Sequence, residues 1–154
     1  MRTFTILILS LFLFSHAAAQ PKATLKSFPT NFSSSDFDNI KKWNGEIIAF
    51  DGIIIQEKIS RNNTPFYLIE LEENKCIWTI LMFENKANKI GDNVRVVGYL
   101  TKIKDKRADE GYLDNEKFIV MAFGLVDFKN KNFLFLGEAQ IQKKEWIDGK
   151  IPTQ

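Results

Sequence analysis

The chain has 154 residues, with 21 Lys and Arg against 19 Asp and Glu, for a formal charge of +2. Apolar residues make up 45% and charged residues 26%, the proportions of one ordinary globular domain of about 100–150 residues. That balance excludes a disordered chain, a collagen-like or coiled-coil rod, a multi-pass membrane protein, a disulfide-rich miniprotein and a strongly basic nucleic-acid wrapper.

Residues 1–19 read as a signal peptide. Arg2 gives a positive start, Thr3 to Phe14 is almost wholly apolar, and Ala17-Ala18-Ala19 supplies small residues at a cleavage site. The apolar run is shorter than the ~20 residues that span a bilayer, so cleavage after Ala19 is expected, with an uncleaved anchor as the alternative. The expected address is exported, periplasmic or secreted, with no stable membrane span after cleavage. Cleavage removes Arg2 and His16, the only histidine. Cys76 is the only cysteine, so no internal disulfide can form. Its apolar setting reads as a small buried hydrophobe, with an intermolecular bridge as the alternative.

Residues 20–44 read as a lead-in and a short helix. Pro21 to Phe32 looks irregular. Ser33-Ser34-Ser35-Asp36 offers side-chain oxygens for the free N–H groups of a first turn, and Phe37, Ile40 and Trp43 predict a helix over 35–43, ended by Asn44-Gly45. The pattern then turns to strands. Glu46 to Ile59 is rich in β-branched residues, with Asp51-Gly52 as a mid-strand bend. Phe66 to Glu72 and Cys76 to Phe83 form a hairpin around Glu73-Asn74-Lys75. Glu84 to Lys89 is helix-tolerant, Ile90-Gly91-Asp92-Asn93 is a turn, and Val94 to Ile103 is a fourth strand. Lys104 to Lys117 reads as a polar loop, Phe118 to Phe128 as a fifth strand and Phe133 to Gln142 as a sixth, before a polar tail holding Trp146. The predicted divisions are 45–128 for the barrel described next and 129–154 for a C-terminal strand and tail.

Three segments carry a family likeness. Trp43-Asn44-Gly45-Glu46-Ile47-Ile48 with the Asp51-Gly52 bend, the Phe66–Glu72/Cys76–Phe83 hairpin, and Ile90-Gly91-Asp92-Asn93-Val94-Arg95-Val96-Val97-Gly98 together resemble the OB-fold, in particular anticodon-binding-like OB domains and small exported bacterial versions. The resemblance covers about residues 43–128. It implies an all-β, five-stranded Greek-key barrel, here with a short N-terminal helix and an extra C-terminal strand. It also implies ligand binding on strands 2 and 3 and the loops that flank them.

The residue types argue against catalysis. With His16 removed, no imidazole base remains for a triad or for a cysteine nucleophile, and no glycine-rich phosphate loop is present. One Cys without His cannot assemble a common zinc site, and no cofactor is expected. Carboxylates remain at Glu70, Glu72 and Glu73 and in the loop at Asp105, Asp109, Glu110, Asp114 and Glu116. With Arg61, Arg95 and Arg107 they leave a metal-dependent nuclease as a distant alternative. For binding, alternation gives two registers. If Tyr67, Ile69, Leu71, Ile77, Thr79 and Leu81 point inward, then Phe66, Leu68, Glu70, Trp78, Ile80 and Met82 point outward. A base on an aromatic ring is worth about 1–3 kcal/mol. The candidate ligand-binding residues are therefore Phe66, Leu68, Trp78 and Ile80, joined by the basic Lys102, Lys104 and Arg107 of the loop. The opposite register, or a covering helix or C-terminal strand, would hide that patch. The candidate ligands are single-stranded nucleic acid, an oligosaccharide or an extended peptide. An envelope protein partner docking on the hairpin is the alternative.

Overall fold

A computed structural model describes residues 29–60, 62–103, 113–114, 116–135, 143–148 and 150. The proposed signal peptide, Lys104, Arg107 and residues 136–142 of the expected sixth strand lie outside them. In chain order the elements are β1 (Thr30–Asn31), a 3-10 helix (Ser34–Trp43), β2 (Ile47–Ile59), β3 (Pro65–Glu70), a 3-10 turn (Glu72–Asn74), β4 (Cys76–Leu81), β5 (Asn93–Lys102), β6 (Phe118–Asp127), β7 (Asn132–Phe135) and α1 (Lys143–Ile147).

Five of these strands close on themselves. β2 pairs with β3, β3 with β4, β6 with β5 and β5 with β2, all antiparallel, and a parallel step from β4 to β6 completes the ring. This is an all-β barrel of the OB type, in the strand order the sequence implies. The long β2 serves both ends of the ring. Ile47–Ile53 run along β5, Ile53–Ile59 run along β3, and the register slips between Ile54 and Gln56. Gly52 sits at the changeover, where a Cβ would lie 2.5 Å from the Glu70 carbonyl oxygen and 2.6 Å from the Ile69 Cγ2. The bend read from Asp51-Gly52 therefore marks a close strand approach.

The period-2 pattern puts Ile48, Phe50, Tyr67, Ile69, Ile77, Leu81, Val94, Val96, Leu100 and Val120 inside the barrel. Phe32 closes one end, with its ring 5.4 Å from Phe37, 5.8 Å from Trp43 and 6.3 Å from Phe50. The lead-in is thus less irregular than expected. Thr30 and Asn31 pair parallel with Ile48 and Ala49, and the Phe32 N–H donates to the Ala49 carbonyl at 2.8 Å. Ser33 begins the helix, its N–H and Oγ both donating to Asp36 Oδ2 at 3.0 Å. The helix is 3-10 rather than α, and Asn39 (φ −130°) breaks its regularity. The helix-tolerant stretch 84–89 is an irregular connection. There the Asn85 and Asn88 side chains bond to one another at 2.7 Å and Asn85 Oδ1 accepts the Ala87 N–H at 3.0 Å, a local competition that disfavours helix.

A second cluster lies outside the wall, where Ala49, Val97, Phe123 and Val126 are covered by Trp146, which is stacked 6.2 Å from Phe133. The polar tail therefore contains a short helix that buries its tryptophan completely. β5 is consequently buried on both faces along most of its length, although its sequence alternates like a half-exposed strand. Arg95 on that wall donates to Asp51 from Nε (2.5 Å) and Nη2 (2.7 Å) and lies 5.6 Å from the Phe128 ring.

Tyr67 and Thr79 face each other across β3 and β4, fully buried, and neither hydroxyl has a hydrogen-bond partner among the described residues. Burial, followed by the charges of Glu57 and Asp92, pushes the Tyr67 phenol up to about 12. The folded value lies above the unfolded value of about 10. Its contribution is therefore complete below pH ~10 and is lost as pH rises through the folded value. Tyr67→Phe should remove that alkaline loss. It should also leave neutral-pH stability unchanged or raise it by about 1 kcal/mol, because no bond is broken. Urea unfolding at about pH 7 and about pH 10.5 reads both effects. A variant that weakens with alkali as steeply as the parent would contradict the assignment.

Candidate functional site

The outward residues of β3 and β4 are those of the first register. Phe66 stands opposite Ile80 and Leu68 opposite Trp78, while Tyr67, Ile69, Ile77 and Leu81 fill the barrel. The row continues around the wall, since Ile80 pairs with Met121 and Met121 with Tyr99. Met82, Met121 and Tyr99 are exposed there. Trp78 is not exposed. It is fully buried on the outside of the wall in a small cluster with Leu113 and Ile119, ringed by half-buried Phe66, Leu68, Ile80 and Ile103. Its Nε1 donates to Asp114 Oδ2 at 3.1 Å. Lys58 Nζ donates to Asp114 Oδ1 at 3.3 Å and lies 4.6 Å from the Trp78 ring centroid. The expected stacking platform is therefore covered by Leu113 and Asp114 of the connection between β5 and β6. Burial of a leucine side chain is worth about 1.5–3 kcal/mol, and a solvent-facing ion pair adds about 0–1 kcal/mol. The cover rests mainly on Leu113.

A second surface forms at the neck of the same connection. The Ile103 N–H donates to the Lys117 carbonyl at 2.9 Å, closing the neck. Asn44, at the end of the 3-10 helix, accepts the Lys102 N–H on Oδ1 at 2.8 Å, and the Gly45 N–H donates to the Leu100 carbonyl at 2.7 Å. The helix end is thereby held against the neck. Two adjoining grooves of about 500 and 530 Å3 result, sharing Lys41, Lys117 and Phe118. Lys41, Lys75, Lys102 and Lys117 line them over an apolar base of Phe37, Ile40, Ile77 and Phe118, and among the described residues Glu116 is the one acidic member of the lining.

Lys102 is the sequence candidate that lies in this groove. Lys41, Lys75 and Lys117 are not legible as a group in the sequence, because each stands in a separate polar stretch and only closure of the barrel assembles them. Cys76 also lines the groove and is half-buried rather than fully buried. Burial, then Glu70 and Glu116, raise its pKa, which disfavours the reactive thiolate.

Among the described residues the acidic side chains do not converge on a metal, and Asp105, Asp109 and Glu110 lie outside them. Asp51, Glu70 and Glu72 line a cleft of about 490 Å3, but Asp51 is bonded by Arg95. Among the described residues, no group of three or more His, Cys, Asp or Glu is placed to hold an ion. Arg61 and Arg107 lie outside the described residues. No helix among the described residues is long and apolar enough to cross a membrane.

No protein-family model matches the chain, and no curated protein matches it. Among solved structures, the chain is similar to a putative aspartyl-tRNA synthetase from Leishmania major Friedlin, with 8% identity, a TM-score of 0.47, and coverage of 77% of this chain and 23% of that one. It is similar also to the aspartyl tRNA synthetase from Entamoeba histolytica, with 7% identity, a TM-score of 0.45, and coverage of 77% and 29%. The chain thus spans less than a third of the length of either enzyme.

Proposed function

We propose that the protein is an exported, non-catalytic binding module that holds an extended anionic chain, single-stranded nucleic acid, in the lysine-lined groove between the 3-10 helix and the neck of the β5–β6 connection. The observation that carries this reading is the convergence of Lys41, Lys75, Lys102 and Lys117 over an apolar base. Clustered lysines neutralise phosphates by releasing counterions, and the apolar base gives the flatter parts of a nucleotide a surface to leave water on. Export is inferred from the leader at residues 1–19. The non-catalytic reading follows from a histidine-free chain after that leader and from a cysteine held as the thiol.

Fluorescence anisotropy of a labelled oligo-dT titrated with the protein tests this. Saturable binding is expected at about 50 mM salt, with a steep loss by about 200 mM. The double variant Lys102→Ala/Lys117→Ala should weaken binding by about tenfold or more. It should also flatten the log–log salt slope by about 0.7 for each phosphate that is no longer neutralised. The proposal fails if binding is absent at low salt or indifferent to both lysines. Equal affinity for heparin and oligo-dT would overturn the nucleic-acid assignment.

A further inference from the structure

We infer that the outer face of β3 and β4 is a docking site for a peptide segment in which leucine is followed by aspartate, and that the chain's own Leu113-Asp114 occupies it as an internal stand-in. This site adjoins the lysine-lined groove through Ile103 but is built from other side chains, and it goes beyond the function proposed above. Two consecutive residues satisfy two kinds of demand. Leu113 is buried against Trp78 and Ile119. Both carboxylate oxygens of Asp114 are read, one by the Trp78 indole N–H at 3.1 Å and the other by Lys58 Nζ at 3.3 Å. The lysine lies over the indole ring as well, so the carboxylate reader is built into the wall. An apolar pocket beside a two-donor carboxylate reader selects a branched apolar side chain next to an acidic one.

The stand-in leaves part of the face uncovered. Asp114 remains 54% exposed, and Met82 and Met121 beyond Ile80 are exposed. A cleft of about 440 Å3 continues from Ile80 past Met82 and Phe83 to Pro65. A longer segment bearing the same two residues covers this additional apolar surface, which the internal pair does not reach. Methionines suit such a surface because their unbranched, polarizable side chains adapt to varied partners.

The probe is a fluorescein-labelled peptide with the sequence of residues 110–117, read by anisotropy against the parent and against Leu113→Ser/Asp114→Ser. The vacated variant should bind saturably. The parent should bind at least about tenfold more weakly, because its own segment competes. Binding to the vacated variant should fall with a peptide carrying Asn for the aspartate, and also when Lys58→Ala is added. A cooperatively melting vacated variant that ignores the peptide overturns the proposal, as does one that binds the Asn peptide equally well or takes oligo-dT instead. A measurement on the parent guards against a variant that does not fold. The backbone N–H resonances of the chain's own Leu113 and Asp114, released from the wall, should shift saturably with excess peptide while the indole N–H resonance of Trp146 stays in place. No shift overturns the proposal. Failure here leaves the oligo-dT titration and its lysine variants unaffected, so the two readings are tested independently.

Discussion

Gly98→Ala should destabilise the protein by about 3 kcal/mol or more, beyond the usual range for an exposed-strand substitution. Gly98 pairs with Ile48 on one side and Ala122 on the other. A Cβ there would meet the Met121 carbonyl oxygen, would lie 2.7 Å from the Ala122 Cα and would lie 2.9 Å from the Met121 carbonyl carbon. All three are backbone atoms, so no rotamer relieves the overlap. β5 cannot step away from β6 without pressing on β2, because both neighbours belong to the same closed ring. The register slip between Val97 and Gly98 already sits at this point, so the bulge and the missing side chain form one device. The shift of the urea midpoint gives the measurement. A variant within about 1 kcal/mol of the parent would mean that β6 yields where a closed barrel should not.

Trp78→Ala should remove about 3–5 kcal/mol, the range for deleting a large buried aromatic. The side chain is fully buried, holds Leu113 and Ile119 together and donates to Asp114. Trp78→Phe keeps most of the apolar body and loses the donor, so about 1–3 kcal/mol is expected. Thermal melts distinguish the two substitutions. Oligo-dT affinity, measured well below the lowered melting temperature, should match the parent for Trp78→Phe, since the lysine-lined groove does not include this residue. A Trp78→Ala protein as stable as the parent would show that the cover over β3 and β4 contributes nothing.

The faces of the hairpin were legible because alternation is a property of the strand itself. Phe66–Glu70 and Cys76–Leu81 carry it plainly, and the inward set is the one expected in the first register. What lies over a face depends on distant chain. Asp114 reaches Trp78 from 36 residues away, and no local pattern announces it. The same limit hid the lysine-lined groove, whose members come from a helix, a reversal, a strand end and a loop end. Trp146 gave a faint signal, a lone large aromatic among Lys143, Lys144 and Glu145, since such a residue in a polar segment tends to be buried against something. The Glu84–Lys89 stretch has acceptable helix composition overall. Asn85 and Asn88 bond locally and decide against the helix.

β6 has a consequence for how the chain is made. One of its edges carries β5 from residue 118 to 127, and the other is shared, with β4 along 119–122 and β7 along 124–127. A chain delivered N-terminus first therefore exposes the inner faces of β2, β3, β4 and β5 with nothing to close them until Asp127 has emerged. Such late, long-range closure is slow and leaves nascent apolar strands open to aggregation. A holding chaperone would have its greatest effect during synthesis of the stretch between Lys102 and Asp127.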